Sequence, residues 1–371
     1  MLTFRCPVIG LFANAFLLAL LLAIAGFPGP SAPGAFAQTA PAQPVNAVTS
    51  AAVERTLRLQ WRRLFDTHSW TELDSLANRL RNQRPRFQGG GWQLHVLYTI
   101  LCTSKSKNAT DAAWEAQITA LQQWIRHSPS SPTPRIALAD TYENFAWKAR
   151  GSGFADAVTP EAWNLLGERM QKALQVLQQA EKISHDDPEW YNSMLVATSD
   201  QDWNRAQADA LVDEALSKEP GYFYVLRVQA DNLLPKWYGN PGDTEEFIAK
   251  AADRIGGAEG DASYFFVAEA TLVAEERCSQ CTPPAMSWTR IRQGYAAVER
   301  LYGTNNYERN AIAFLAVRAR DAQTARDAFE RIGDDWDPDV WGSKALFDSG
   351  RLFSNLKPVP HAPPKGARTT Y

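Results

Sequence analysis

Three times along this chain an alanine is followed four residues later by a large apolar side chain, then three residues later by a small or apolar one, and then by a proline. The residues are Ala173/Leu177/Ala180/Pro188, Ala208/Val212/Ala215/Pro220 and Ala325/Phe329/Ile332/Pro338. Spacings of three and four put side chains on one face of an α-helix. The alanines let a neighbouring helix approach, Leu177, Val212 or Phe329 fills the gap, and the proline ends the run. A single helical hairpin cannot bury such a stripe, so these units are stable when stacked into a superhelix with a concave, A-helix-lined surface. The pattern predicts an all-α solenoid of helical hairpins, with the concave groove as its default binding surface.

Apolar periodicity divides the chain into A and B helices of about seven pairs: 51–66 with 70–82, 90–104 with 111–127, 134–150 with 160–184, and 188–199 with 203–218. The series continues with 221–236 and 244–255, 261–278 and 286–302, and 306–319 and 322–332, with 338–349 as a cap. Thr159-Pro160-Glu161, Asp187-Pro188-Glu189 and Asp337-Pro338-Asp339 each place a capping oxygen before a first-turn proline and an acid near the positive helix end. Ser69-x-x-Glu72 and Asp243-x-x-Glu246 have the spacing of capping boxes. No stretch alternates strongly enough to demand a sheet.

The run Ala208-x3-Val212-x2-Ala215-x4-Pro220 resembles the second half of the tetratricopeptide consensus, while the Trp and Gly-Tyr half is missing from the preceding helix. More specifically, Pro134 to Ala139 through Tyr142, Ala146-Trp147-x-Ala149-Arg150-Gly151-Ser152-Gly153, Asp187-Pro188-Glu189-Trp190-Tyr191 and Leu234-Pro235-Lys236-Trp237-Tyr238-Gly239 resemble the uncharacterised bacterial family called domain of unknown function 4034. The resemblance spans 120–350 and implies exported helical repeats. It implies no reaction and lends the chain no catalytic residue.

The first residues read as an export signal: Arg5, an apolar run from Val8 to Phe27, and a small-residue site ending Ala35-Phe36-Ala37 before Gln38. Residues 1–37 are expected to be removed, with a periplasmic location; an uncleaved run of this length would instead tether the chain to a membrane. Cys6 precedes the apolar run, so no lipoprotein is implied. Residues 38–50 read as an Ala/Pro/Gln-rich flexible spacer, 51–350 as the repeat domain and 351–371 as a Pro-rich disordered tail. With 38 basic and 41 acidic side chains and no basic block, the electrostatic footprint of a nucleic-acid binder is missing. A protein or peptide partner is expected instead.

The candidate ligand-binding residues are aromatic or polar groups on A helices and on two Gly-rich turns. Tyr142, Asn144, Trp190, Tyr191, Asn192, Tyr224 and Arg227 lie on A helices beside Asp231, and some must face the groove while others pack between hairpins. The 13 tryptophans exceed what packing of a chain this size needs, which favours some aromatic faces turned to a ligand. Arg150-Gly151-Ser152-Gly153 and Trp237 to Gly242, including Tyr238, fall between A and B helices. Either they form a recognition edge, or glycine serves tight turns while Trp237 and Tyr238 plug the loop.

Cys278-Ser279-Gln280-Cys281 follows a helix and leads into Thr282-Pro283-Pro284, which favours a local disulfide over a redox motif opening a helix. Zinc would need two further ligands that the five histidines do not supply, and Cys102 is left over on an apolar helix. Asp335-x-Asp337-x-Asp339 has calcium-loop spacing, but Val340 stands where glycine is required and Leu346 where a bidentate Glu is required. Ser104-x-x-Lys107 lacks the partner motifs of penicillin-binding enzymes. No phosphate loop, dinucleotide fingerprint, His-Glu-x-x-His or Gly-x-Ser-x-Gly occurs. Neither a metal nor a cofactor is expected. The alternative is an α/α toroid that cleaves polysaccharide with paired carboxylates drawn from Asp140, Glu143, Asp231 and Glu269.

Overall fold

The computed structural model describes residues 46–104, 109–151, 158–199, 204–276 and 281–355. Among them are sixteen helices and no strand. They are α1 (Asn46–Asp66), α2 (Trp70–Gln83), α3 (Gln93–Cys102), α4 (Asp111–His127), α5 (Thr133–Arg150), α6 (Pro160–Ser184), α7 (Pro188–Ser199) and α8 (Arg205–Lys218). After them come α9 (Tyr224–Asn232), α10 (Asp243–Ile255), α11 (Gly257–Glu276), α12 (Trp288–Tyr302), α13 (Asn306–Arg318), α14 (Ala322–Ile332), α15 (Pro338–Trp341) and α16 (Lys344–Asn355). The expected export signal lies outside the described residues. No helix of the described residues is long and apolar enough to cross a membrane.

All nine alanine and apolar positions of the recurring signature are buried. Odd-numbered helices pack in series, α1 on α3, α3 on α5, and so on through α13, and the even-numbered helices cover them. One main apolar core takes in side chains from Trp61 to Phe347, and two small clusters lie apart from it, one around Trp114 and Phe145 and one around Ala146, Leu166 and Met170. Its helices approach closely where side chains are small: a Cβ on Gly294 of α12 would overlap the Asp261 carbonyl and the Phe265 side chain of α11. Central α11 is buried from Ala262 through Glu269, as expected of a helix covered on all sides.

The caps explain several boundaries. Thr159 accepts from Ala162 N, Asp187 from Glu189 N and Asp337 from Asp339 N, each beside its first-turn proline. Two expected capping boxes are corrected. Ser69 makes no side-chain cap and pairs with the Thr67 hydroxyl. Gly242, at φ 96°, is the N-cap of α10, and the Asp243 carboxylate turns back to Asn240 N. The complete capping box is Asn305 with Glu308 at the start of α13.

Other boundaries also move. The helix read as 221–236 shortens to α9, because turns form around Gly221 and from Leu233 to Tyr238. The cap read as 338–349 breaks at Gly342, φ 69°, into α15 and α16. Helix α16 reaches Asn355, inside the segment read as tail, and α1 begins at Asn46, inside the segment read as spacer. The start expected at 90 gives way to a non-helical turn before α3.

Candidate functional site

That turn reaches across the molecule. Residues 84–92 fold back on themselves: Arg86 and Trp92 form an isolated antiparallel bridge, Phe87 N donates to Gly91 O at 2.8 Å and Gln93 N to Pro85 O at 3.1 Å. Gly89 and Gly90 make the bend at φ 90° and 83°, where a Cβ is strained. At the tip, Gly89 N donates to Gly303 O at 3.2 Å, Gln88 Nε2 to Thr304 O at 3.0 Å, and Asn305 Nδ2 to Gln88 O at 3.1 Å. The hairpin tip thereby meets the α12–α13 turn, 216 residues away in sequence.

The flanks of the hairpin are held differently on its two sides. Phe87 is buried against Trp61 of α1, with ring centroids 6.3 Å apart. Trp92 is buried edge-on to Tyr222, and its Nε1 donates to Gly221 O at 2.9 Å. The Arg86 guanidinium lies 3.8 Å from the Trp92 ring centroid and 5.1 Å from that of Tyr302. It donates to Gly221 O at 3.1 Å and pairs with Glu259 at 2.9 Å, while Arg84 pairs with Glu219 at 2.7 Å.

Tyr224 joins the hairpin to a polar cluster built from several odd-numbered helices. Its hydroxyl accepts from Trp92 N at 3.3 Å, and its ring stacks on His95 of α3 with centroids 3.5 Å apart. His95 Nδ1 is 2.8 Å from Glu189 Oε2, which also accepts from the Tyr222 hydroxyl; Asn192 Nδ2 donates to the other oxygen at 2.8 Å. Arg227 Nε donates to Phe266 O at 2.9 Å, and its guanidinium pairs with Glu269, which also accepts from the Tyr307 hydroxyl at 2.9 Å. Nearby, Asp187 takes bonds from Arg81 and from the Tyr98 hydroxyl, and Asp140 from Ser193.

The carboxylates here form a buried layer. Glu189 and Glu269 are 2% and 1% exposed, and each has partners, as buried charges require. Burial raises the Glu269 carboxyl above its ordinary range, with Arg227 and Tyr307 opposing. Burial, joined by the negative charge of Glu189, raises Asp140. Glu308 is pushed up to about 8 by burial, against its backbone bond from Asn305 and with Glu269 adding to the rise. Burial also lifts the Tyr224 phenol to about 12. In front of this layer His95, Asn192, Tyr224 and Arg227 are half-buried. They offer an imidazole–phenol stack, a carboxamide and a guanidinium edge, a combination suited to recognition at low entropy cost.

Three of the sequence candidates, Asn192, Tyr224 and Arg227, are thus brought together. Trp190 and Tyr191 are corrected: both are buried between hairpins, Trp190 Nε1 donating to Leu177 O at 3.1 Å and the Tyr191 hydroxyl to His185 O at 2.8 Å. Tyr142 packs on the core, and Asn144 Nδ2 binds its own helix at Asp140 O, 2.8 Å away. Arg150 is buried between Trp147 and Trp163, 5.7 and 5.4 Å from their centroids. Trp237 is half-buried, and the exposed Tyr238 binds Ser199 O through its hydroxyl. Ser152, Gly153, Lys107 and Cys278 lie outside the described residues. Cys281 is disulfide-bonded, and Cys102 is a buried free thiol whose pKa burial raises.

Of the alternative carboxylates, Asp140 and Glu269 belong to separate networks on α5 and α11. Among the described residues no group of three or more His, Cys, Asp or Glu side chains is arranged to hold a metal ion. The sequence gives His95, Tyr222 and Tyr307 no motif and Glu189 only the place of a first-turn acid, because the contacts of His95 and Tyr222 with Glu189 and of Tyr307 with Glu269 join residues 33 to 94 positions apart. Comparison with family models, curated proteins and solved structures finds no match.

Proposed function

We propose that this chain is an exported, tetratricopeptide-like solenoid that binds a peptide, protein or envelope component on the inner face of its odd-numbered helices, without chemistry of its own. The observation that carries the reading is the half-buried set His95, Asn192, Tyr224 and Arg227, drawn from three helices and backed by buried, partnered carboxylates. Carboxylates already committed to Arg227, Tyr222, Tyr307 or Ser193 serve to position side chains rather than to shuttle protons. The serial packing of odd-numbered helices supports the solenoid. The resemblance to domain of unknown function 4034 and the apolar run 8–27 support helical repeats outside the cytoplasm.

The test is affinity capture from the native envelope with the wild-type chain and with a His95→Ala/Asn192→Ala variant. Loss of the captured partner with unchanged helical circular dichroism supports the inner face. Equal capture by both chains rejects it.

A further inference from the structure

We propose that the partner on the inner face presents a primary ammonium group, and that His95 Nε2 and Asn192 Oδ1 are the two acceptors that receive it. This rests on the binding-scaffold reading above and names the partner's chemistry. One buried carboxylate sets both acceptors. Glu189 Oε2 lies 2.8 Å from His95 Nδ1, and Glu189 Oε1 accepts from Asn192 Nδ2 at 2.8 Å. A carboxylate only accepts, so Nδ1 carries the imidazole hydrogen and the neutral ring keeps Nε2 as an acceptor. The Asn192 amide likewise commits its nitrogen to Glu189 and leaves its oxygen unmatched.

Both acceptors are within reach of a ligand. The Glu189 side chain is 3% exposed and covers the Nδ1 edge of the ring, whereas the His95 side chain is 26% exposed, so water reaches the far edge, where Nε2 lies. Among the described residues neither Nε2 nor Oδ1 has a hydrogen-bond partner, and neither is sealed from solvent. Tyr224, stacked on His95 with centroids 3.5 Å apart, fixes the plane of the imidazole.

The charge behind the pair selects a cation. Asp140, Asp187 and Glu189 lie together: burial first, and then the charges of Glu189 and Asp187, raise the Asp140 carboxyl. Among the described residues Arg81, at Asp187, is the one guanidinium bonded to this group, and the Arg227 charge is already matched by Glu269. A neutral donor would satisfy the two acceptors and leave the charge of Glu189 unanswered. An ammonium does both. It also suits the pair better than a guanidinium, because three rotatable donors reach acceptors on separate side chains, whereas a planar fork matches a carboxylate.

The experiment follows the histidine side-chain nitrogens of the full chain by long-range 1H–15N spectra at about pH 7.5, where an ordinary imidazole is mostly neutral. The His95 signals are those lost in His95→Gln. Nε2 should show the unprotonated signature in the free chain and move on titration with the blocked peptide acetyl-Gly-Lys-Gly-amide. The same peptide acetylated on its lysine should leave it in place. A protonated Nε2 in the free chain, equal binding of the acetylated or the arginine peptide, or no binding of the lysine peptide overturns the proposal. None of these readings depends on a binding-site variant folding.

Two variants then test the acceptors separately. Asn192→Leu removes one acceptor and should weaken the lysine peptide roughly tenfold or more. Glu189→Gln should weaken it as much with both acceptor residues in place. Tyr222 and His95 both donate to Oε2, so the new amide nitrogen takes the Oε1 position and turns Asn192 round. Unchanged binding in both folded variants overturns the proposal. Loss of partner capture in the His95/Asn192 variant without lysine-peptide binding rejects the ammonium proposal alone. Lysine-peptide binding with unchanged capture rejects the inner-face partner reading alone.

Discussion

Replacing Glu308 by glutamine should change how stability depends on pH. Glu308 is 8% exposed, closes the capping box of α13 and lies under the hairpin tip. Its carboxyl is shifted from 4.5 to about 8, chiefly by burial. A folded-state value above the unfolded one means that the native chain holds the proton where the unfolded chain releases it. The stabilisation is therefore complete below about 4.5 and is lost as pH rises through about 8. At about 1.4 kcal/mol per unit, the cost grows by about 4 kcal/mol between about pH 5 and about pH 9. Glutamine keeps the cap, since its side-chain oxygen can accept from Asn305 N, and carries no proton to lose. Thermal melts followed by circular dichroism should show wild type and Glu308→Gln close together at low pH. The variant should be more stable at high pH, by on the order of 10 °C. Parallel pH profiles, with a constant difference between the two chains, would refute the reasoning.

Two further substitutions probe the hairpin and the buried ion pairs. Gly89→Ala places a Cβ on the Glu308 carboxylate and the Asn305 amide at a positive φ, so it should release the tip at a cost of about 2 kcal/mol or more, read as accelerated exchange at residues 86–92. Asp187→Ala leaves the Arg81 guanidinium and Tyr98 hydroxyl without their carboxylate and removes the cap of α7; denaturant unfolding should show a loss of about 3–5 kcal/mol, and a loss below about 1 kcal/mol would mean that water replaces the pair.

The repeat elements were legible because their physics is local. Ala173, Leu177 and Ala180 specify a helix and the face it buries through neighbours only three and four residues away, and α4, α6, α7 and α14 fall at the expected boundaries. Thr159, Asp187 and Asp337 act within two or three residues of themselves. Ser69 and Asp243 have the capping-box spacing of Asn305 and Glu308 yet do not cap, because capping depends on backbone angles that the spacing does not contain.

The site was legible only in part. Trp190 and Tyr191 have the composition of a binding face, but whether an aromatic on an A helix packs against the next hairpin or faces the groove depends on its angular position in the stack. Arg227 needed Glu269, 42 residues on, and His95 needed Glu189, 94 residues on. The helix read as 90–104 takes in Gly90 and Gly91, and no local rule says that Gln88 to Gly91 instead form a turn that ends against Gly303. Helix content, the buried stripe and the prolines that punctuate it follow from the sequence alone, since interactions a few residues apart decide them. Which polar groups meet, which carboxylates are held away from water, and that residues 84–92 cross to α13 were decided by tertiary structure, because only the packed stack brings such distant residues within hydrogen-bonding range.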